Sequence, residues 1–310
     1  MATPLVVVTE PIDAECEAWL RERCEVVECA VEDGGFEGLL ARAEGLIVRT
    51  YTVVDEGLLK RAARLRVVGR AGVGIDNIDA AACRRRGIAV VNTPEANADA
   101  VAEFVWACVF DAMRPRLFLD RALSAERWHR VREELIAERQ LSDLTLGVWG
   151  MGRIGRRVAR IGAALGMRVV YYDIVEIEAG AREGAAPMER DMLLAESHII
   201  SLHVDGRAEN RNMVGTRELN RMREDVLLIN AARGFIVDAA ALAAFLRERP
   251  EAQAVLDVHE PEPFGPEHPL VDVKNAHLSP HIAAATRTAK KNMSWVVRDV
   301  WAALSGAGSR

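Results

Sequence analysis

The sequence predicts an α/β protein built from two doubly wound parallel-sheet units of the Rossmann or flavodoxin kind. Three observations carry this. Short β-branched runs alternate with helical patterns along nearly the whole chain, which is the rhythm of strand–helix–strand crossovers. The runs fall into two series separated by a long apolar helical stretch. At 310 residues, the chain also exceeds the roughly 100–200 residues of one ordinary domain.

The first series predicts strands at Leu5–Thr9, Val26–Cys29, Leu46–Arg49, Arg66–Gly69 and Ile88–Asn92. Each is a short apolar run bounded by charged or turn-forming residues. The stretch Asn97–Arg121, rich in Ala, Val, Phe and Trp, reads as one long helix, and the break between units falls near its start. The second series predicts strands at Thr145–Trp149, Arg168–Tyr172, Ile199–His203, Val226–Asn230, Ala254–Val258 and Ala276–Leu278. Residues Thr286–Leu304, with Trp295 and Trp301, read as a final amphipathic helix.

Composition excludes several classes. Half of the residues are hydrophobic and 28% are charged, enough core material that large-scale disorder is not expected. A net charge of −6 gives no attraction for nucleic acid or an anionic membrane. No apolar run approaches the roughly 20 residues of a membrane span. The N-terminus, MATPLVVVTE, reads as a first strand and not as a signal peptide. Cys16, Cys24, Cys29, Cys83 and Cys108 are odd in number and form no C-x-x-C pair. They predict buried, reduced thiols, no metal site and a cytoplasmic protein.

Chemistry enters at Gly150-Met151-Gly152-Arg153-Ile154-Gly155, a G-x-G-x-x-G pattern. It directly follows a predicted strand and opens the helical run Arg153–Gly166, the context a dinucleotide loop requires. Gly150 makes the tight turn, Gly152 lets backbone approach a pyrophosphate, and Gly155 permits close helix–strand packing. The helix start offers free N–H groups to the phosphates. Asp173 ends the next strand, where its carboxylate accepts ribose hydroxyls and repels the 2′-phosphate of NADP; Ile174 and Val175 bring no cation to offset this. The expected cofactor is NAD.

Three residues follow successive strand ends behind that loop. Arg233 comes after VLLIN, Glu262 after AVLDV and His281 after AHLSP. Open α/β sheets place reactive groups beyond the carboxyl ends of their strands. Arginine is the fork-shaped donor for a carboxylate. Histidine changes charge near neutral pH, and a neighbouring carboxylate stabilises its charged form and fixes its tautomer. A cation, a proton carrier and a tuning carboxylate are what hydride transfer to or from a 2-hydroxy acid needs beside nicotinamide. His203, at a strand end in the cofactor series, is expected to line the cofactor pocket. His129, His198, His268 and His277 read as structural, and the run Arg84–Arg86 as a solvated face.

These blocks resemble the D-isomer specific 2-hydroxyacid dehydrogenase family over essentially the whole chain. The family's catalytic arginine, glutamate and histidine fall on Arg233 in NAARGFIVD, Glu262 in DVHEPEP and His281 in SPHIAAAT. The resemblance implies a substrate domain of about 1–97 plus 285–310, with an NAD domain of about 98–284 inserted into it. It implies NAD contacts from Arg153, Ile154, Asp173, His203, Val204, Ala231, Ala232, Arg233, Asp257 and His281 through Ala284. It also implies a homodimer paired through the NAD domain. The AGVG segment, including Val73 and Gly74, would offer backbone N–H groups to the substrate carboxylate.

Residues 67–103 are most similar to D-3-phosphoglycerate dehydrogenases, with Arg49 and Arg70 as phosphate ligands. Glyoxylate, hydroxypyruvate or another 2-hydroxy acid is the alternative substrate, and phosphite a further one. An NAD-sensing corepressor-like module is the non-enzymatic alternative, disfavoured by the intact trio. Three departures stand out: no stretch corresponds to the regulatory amino-acid-binding domain of many phosphoglycerate enzymes, Asp205 replaces a usual proline, and His259 replaces the common phenylalanine.

Overall fold

The structure, a computed structural model, describes residues 3–114 and 116–306. The chain divides into two compact units, Met1–Asn97 with Ala284–Arg310, and Ala98–Ala283.

The first unit holds strands β1 (Leu5–Val8), β2 (Glu25–Glu28), β3 (Gly45–Val48), β4 (Val67–Arg70) and β5 (Ala89–Asn92). They form one parallel sheet in the order β2-β1-β3-β4-β5. Both faces are covered, so the inner strands β1 and β3 are apolar and buried at every residue rather than alternating, while the edge strand β2 carries exposed Glu25 and Glu28. One face packs Phe36, Leu40, Leu58 and Leu59, while the other takes Val296, Val297, Val300 and Leu304 from the last helix. Gly69 allows that helix to close in, because a Cβ there would lie 2.4 Å from Val300.

The second unit holds β6 (Thr145–Trp149), β7 (Arg168–Tyr172), β8 (Ala186–Pro187), β9 (Ile199–Leu202), β10 (Leu227–Asn230), β11 (Gln253–Leu256) and β12 (Ala276–Leu278). These too are all parallel, ordered β12-β11-β10-β9-β6-β7-β8. The order reverses direction between β6 and β9, and the crevice at such a switch point is where open α/β sheets bind ligands. The helix Ala98–Met113 is seated by Trp106, whose Nε1–H donates to the Val158 carbonyl at 3.3 Å.

Three expectations change. The helix expected over Asn97–Arg121 ends at Met113; Arg114 precedes Pro115, and a proline disfavours helical backbone in the residue before it. A separate helix, Ala125–Glu134, follows, capped by Ser124, whose Oγ accepts the Arg127 N–H at 3.2 Å. It buries no residue, so it has no apolar stripe for a sequence reading to detect. The final helix is two, Arg287–Ser294 and Val296–Ser305. At the break, Ser294 Oγ donates back to the Lys290 carbonyl at 2.8 Å and accepts the Asp13 N–H at 3.0 Å, the kind of back-bonding that bends helices. The two-residue strand β8 is an addition to the six expected in this series. Among the described residues, no helix is long and apolar enough to cross a membrane, and no group of three or more His, Cys, Asp or Glu is placed to hold a metal.

Candidate active site

Gly150 directly follows β6 with φ of 99°, a left-handed conformation that glycine adopts without steric cost. A Cβ there would meet the His203 carbonyl oxygen at 2.6 Å and Val204 N at 2.9 Å. The turn after β6 therefore abuts the turn after β9 at the switch point. Gly155 is equally constrained, since its Cβ would lie 2.0 Å from the Gly150 carbonyl oxygen. Gly152 differs. A Cβ there would meet nothing within 4 Å, so the loop presents bare backbone to open space. No side chain caps the helix that starts at Arg153, and its first-turn N–H groups suit an anion.

Asp173 follows β7 and braces the loop, with Oδ2 accepting the Met151 N–H at 2.6 Å and Oδ1 the Val175 N–H at 3.0 Å. Both oxygens keep lone pairs for further donors. The neighbouring Ile174 and Val175 are exposed. His203 Nε2 meets Ser201 Oγ at 2.8 Å, while its buried Nδ1 has no partner in the protein. Burial pushes the ring's pKa down to about 3, so His203 is neutral at physiological pH. An open glycine cradle, an uncapped helix start, a strand-end carboxylate and an unpartnered ring nitrogen together fit a dinucleotide. Asp205 forms a two-pronged ion pair with Arg207, at 2.6 and 2.7 Å, and also accepts from Asn210. The loop that carries it is thus held by its own ion pair where the family pattern has proline.

Arg233 lies in the turn after β10. Asn230, fully buried, holds this turn from inside: its Nδ2 donates to the Arg233 carbonyl at 2.8 Å and its Oδ1 accepts the Ala232 N–H at 3.0 Å. A Cβ on Gly234 would lie 2.0 Å from the carbonyl carbon of His259, so this turn and the loop after β11 touch backbone to backbone. In that loop Glu262 Oε1 accepts the His259 N–H at 2.7 Å. Its Oε2 lies 2.7 Å from His281 Nδ1. The carboxylate can only accept, so Nδ1 carries the proton and Nε2 is the nitrogen left for chemistry. Burial works against ionisation of Glu262, but the bonds from His281 and the His259 N–H outweigh it and hold the carboxyl below its ordinary range.

His281 has φ of 54°, a conformation uncommon outside glycine that persists only where surroundings impose it. The surroundings are visible. Its N–H donates to the Ser279 carbonyl at 3.1 Å. Asp257, 1% exposed, accepts Ser279 Oγ–H at 2.6 Å, Ile282 N–H at 2.8 Å and Ala283 N–H at 2.7 Å. Asp257, expected among the NAD contacts, is placed here as the anchor of the His281 loop. Ser279 opens the SPHIAAAT block, but nothing in the sequence pointed to this anchoring.

In the first unit, Arg49 directly follows β3 and Arg70 ends β4, the neighbouring strand, where its register partner is Val48. Arg49 Nη1 donates to the Pro11 carbonyl at 2.9 Å. Arg70 folds over the following loop, where a Cβ on Gly72 would meet its Nη1 at 1.2 Å. Asn92 Nδ2 fixes that loop by donating to the Val73 carbonyl at 2.5 Å. Glu10, which sequence reading missed, accepts the N–H groups of Arg49, Thr50, Tyr51 and Thr52. Ala284, expected at the cofactor, falls in this unit. The five cysteines are free, and burial first of all pushes the thiols of Cys16, Cys24 and Cys108 up to about 11, so none offers a thiolate at neutral pH.

Residues 106–283 match the model of the D-isomer specific 2-hydroxyacid dehydrogenase, NAD binding domain. The chain belongs to the D-isomer specific 2-hydroxyacid dehydrogenase family. It is 38% identical to a glyoxylate reductase of Aeropyrum pernix over 96% of this chain and 92% of that one. It is likewise 38% identical to a D-3-phosphoglycerate dehydrogenase of Archaeoglobus fulgidus, over 95% of this chain but only 56% of that relative's length. Among solved structures, a D-lactate dehydrogenase of Aquifex aeolicus complexed with NAD and lactic acid matches with a TM-score of 0.82 at 29% identity, covering 97% of this chain and 96% of that one. The D-2-hydroxyacid dehydrogenases are NAD-dependent oxidoreductases, and the loops after β6, β7, β9, β10, β11 and β12 all lie within or at the edge of this family's NAD-binding domain.

Proposed function

We propose that this protein moves a hydride between nicotinamide and the C2 of a small D-2-hydroxy acid or 2-keto acid, with Arg233, Glu262 and His281 as its catalytic residues. The 2.7 Å pairing of His281 with Glu262, beside the Arg233 turn in an NAD-binding domain, carries this reading. Bound nicotinamide supplies the hydride in reduction and accepts it in oxidation. Arg233 holds the substrate carboxylate with its planar fork. In reduction, His281 gives the proton on Nε2 to the oxygen forming at C2; in oxidation, the same nitrogen takes it back. Glu262 fixes the tautomer and stabilises the imidazolium. Gly150, Gly152, Arg153, Ile154 and Gly155 receive the pyrophosphate, Asp173 the adenine-side ribose, and His203, Val204, Ala231, Ala232 and Asp257 complete the cofactor's surroundings with His281 through Ala284.

The substrate this reading favours is D-3-phosphoglycerate with its keto form 3-phosphohydroxypyruvate. Arg49 and Arg70, at the carboxyl ends of neighbouring strands, suit a second anion, and Val73 and Gly74 supply backbone to the first. Glyoxylate or hydroxypyruvate is the second reading, favoured by the near-full-length Aeropyrum relative and by the Arg49 bond to Pro11. A panel of 2-keto acids with NADH, including 3-phosphohydroxypyruvate, 3-sulfopyruvate and glyoxylate, separates the two. Arg49→Ala or Arg70→Ala should raise KM for the two doubly anionic substrates far more than for glyoxylate. Equal effects on all three would remove the phosphoglycerate reading.

The enzyme works as a homodimer in this reading. Leu117, Phe118, Leu119, Trp128 and Ile136 all lie exposed between the helix ending at Met113 and β6, with Phe118 at 86%, apolar side chains in a charged segment that a second copy of the chain would cover. Light scattering that gives a monomer mass at micromolar concentration would refute it. The free cysteines support a reducing, cytoplasmic setting.

A further inference from the structure

His259 lies in the Glu262 loop after β11 and is bonded across to the His281 loop as well as within its own. Its backbone N–H aims Glu262 Oε1 at 2.7 Å. Its ring Nε2 lies 2.8 Å from the Ser279 carbonyl oxygen. A carbonyl can only accept, so Nε2 carries the proton and donates. That same carbonyl accepts the His281 N–H at 3.1 Å, and His281 Nδ1 closes the circuit on Glu262 Oε2 at 2.7 Å. The four residues thus form a closed ring of hydrogen bonds, in which the side chain of His259 is the tie between the strand-end loops of β11 and β12.

Packing keeps the imidazole in that role. His259 is 8% exposed, and its ring lies 4.5 Å from the Phe264 ring and meets His268 edge-on at 5.8 Å. His259 also borders a cavity of about 240 Å³ lined in part by Phe235, Val237, Leu256 and Leu270, which leaves room for a substituted side chain to relax. Ionisable groups near the ring are Glu262, His281, His268, Glu260 and Asp257. Glu260 is already paired with Arg211, and Asp257 is occupied by Ser279, Ile282 and Ala283.

We propose that His259 is a positioning residue for the reaction: it locks the His281 loop to the Glu262 loop through Ser279, so that the proton-carrying nitrogen and its carboxylate keep one geometry. The inference rests on the assignment of His281 and Glu262 to proton transfer. Small misplacements of a reacting group cost rate steeply, about a hundredfold per ångström in well-built sites.

The test compares three substitutions in the full chain. His259→Phe keeps the ring and deletes the N–H. His259→Gln sets an amide N–H close to where Nε2 stood, whereas the shorter His259→Asn cannot reach Ser279. The expected result for His259→Phe and His259→Asn is a fall in kcat for keto-acid reduction of about tenfold to a hundredfold, with NADH binding, read by fluorescence, unchanged. The alkaline fall of the reduction profile should also move to lower pH, because Glu262 no longer stabilises protonated His281. His259→Gln should recover most of both. The idea is overturned by parent-like kcat and pH profile in His259→Phe, or by a His259→Gln variant as impaired as His259→Asn. If His259→Phe does not fold, the Gln and Asn pair carries the same comparison. His281→Ala separates the levels: if it stays active, the proton-transfer assignment falls and takes this inference with it; if it is inactive while His259→Phe is parent-like, only this inference fails.

Discussion

Two carboxylates, Glu10 and Glu262, lie in loops that leave the carboxyl end of a parallel strand, Glu10 after β1 in the first unit and Glu262 after β11 in the second. Both are partly buried, which opposes ionisation, and both are nevertheless held below the ordinary carboxylate range by hydrogen bonds. Their partners differ. Glu10 receives four backbone N–H groups, from Arg49, Thr50, Tyr51 and Thr52, at 2.9–3.1 Å. Glu262 receives one backbone N–H and one imidazole nitrogen. A carboxylate whose partners cannot titrate shapes a loop; one that shares its bonds with a histidine also sets when that histidine is charged. Position at a strand end therefore does not distinguish a scaffold group from a chemical one, but the partners do.

The largest effect expected from this contrast is on the Glu262 side. His281→Ala should lower both reduction and oxidation by several orders of magnitude while NADH binding stays close to that of the parent. Glu262→Gln is subtler. It removes the charge and keeps the shape, so the protonated form of His281 loses its stabilisation. Reduction needs that form, and its rate should begin to fall at a lower pH than in the parent, with oxidation at neutral pH less affected. An unmoved pH profile in Glu262→Gln would place Glu262 with Glu10 as a scaffold residue and erase the contrast.

The same contrast explains what could be read from sequence. Strands such as Thr145–Trp149 and Arg168–Tyr172 were legible to the residue because they are short apolar runs next to turn residues, and covered parallel strands look like that. The glycine loop was legible because its spacing has a backbone reason at each glycine. Glu10, Ser279 and the tie through His259 were not legible. Each works through a bond to a main-chain N–H or carbonyl of a residue distant in sequence, and such bonds leave no side-chain pattern. His259 stood out only as a departure from a phenylalanine, which showed that something differed but not what the imidazole holds. The helix Ala125–Glu134 was missed for a related reason, since with no buried face it lacks a periodic apolar stripe.

On the other side of the comparison, Glu10→Gln should act on loop geometry and stability. A glutamine turns an NH₂ toward donors that need an acceptor, so at least one backbone N–H of the Arg49–Thr52 loop loses its partner. With the site partly open to water, the expected loss of stability is about 1–2 kcal/mol at neutral pH. The folded pKa of Glu10 is depressed, so its contribution is present above the unfolded carboxyl pKa and fades as pH falls through the folded value. Melting temperatures of parent and variant should therefore differ at pH 7 and converge in acid. KM for the keto acid should rise while the pH limbs of kcat stay in place, the reverse of the Glu262→Gln pattern. A shifted kcat limb in Glu10→Gln would mean that this carboxylate too is coupled to the proton carrier.

The smallest effect expected is at Asp173, a third strand-end carboxylate that combines both characters. It braces the glycine loop through Met151 and Val175, and it is the group proposed to face the cofactor's ribose. The parent should prefer NADH over NADPH by at least about tenfold, since a 2′-phosphate would meet the carboxylate's charge. Asp173→Ala removes charge and brace together, so it should narrow the preference partly by weakening NADH. Asp173→Asn separates them: the amide oxygen still accepts the Met151 N–H of the glycine loop, only the Val175 bond is given up, and the repulsion of a 2′-phosphate is gone. Its use of NADPH should rise relative to the parent with only a modest change for NADH. Comparable efficiency of the parent with both cofactors, or an Asp173→Asn variant whose cofactor ratio matches the parent's, would show that Asp173 is a brace in the manner of Glu10 and that cofactor choice lies elsewhere in the site.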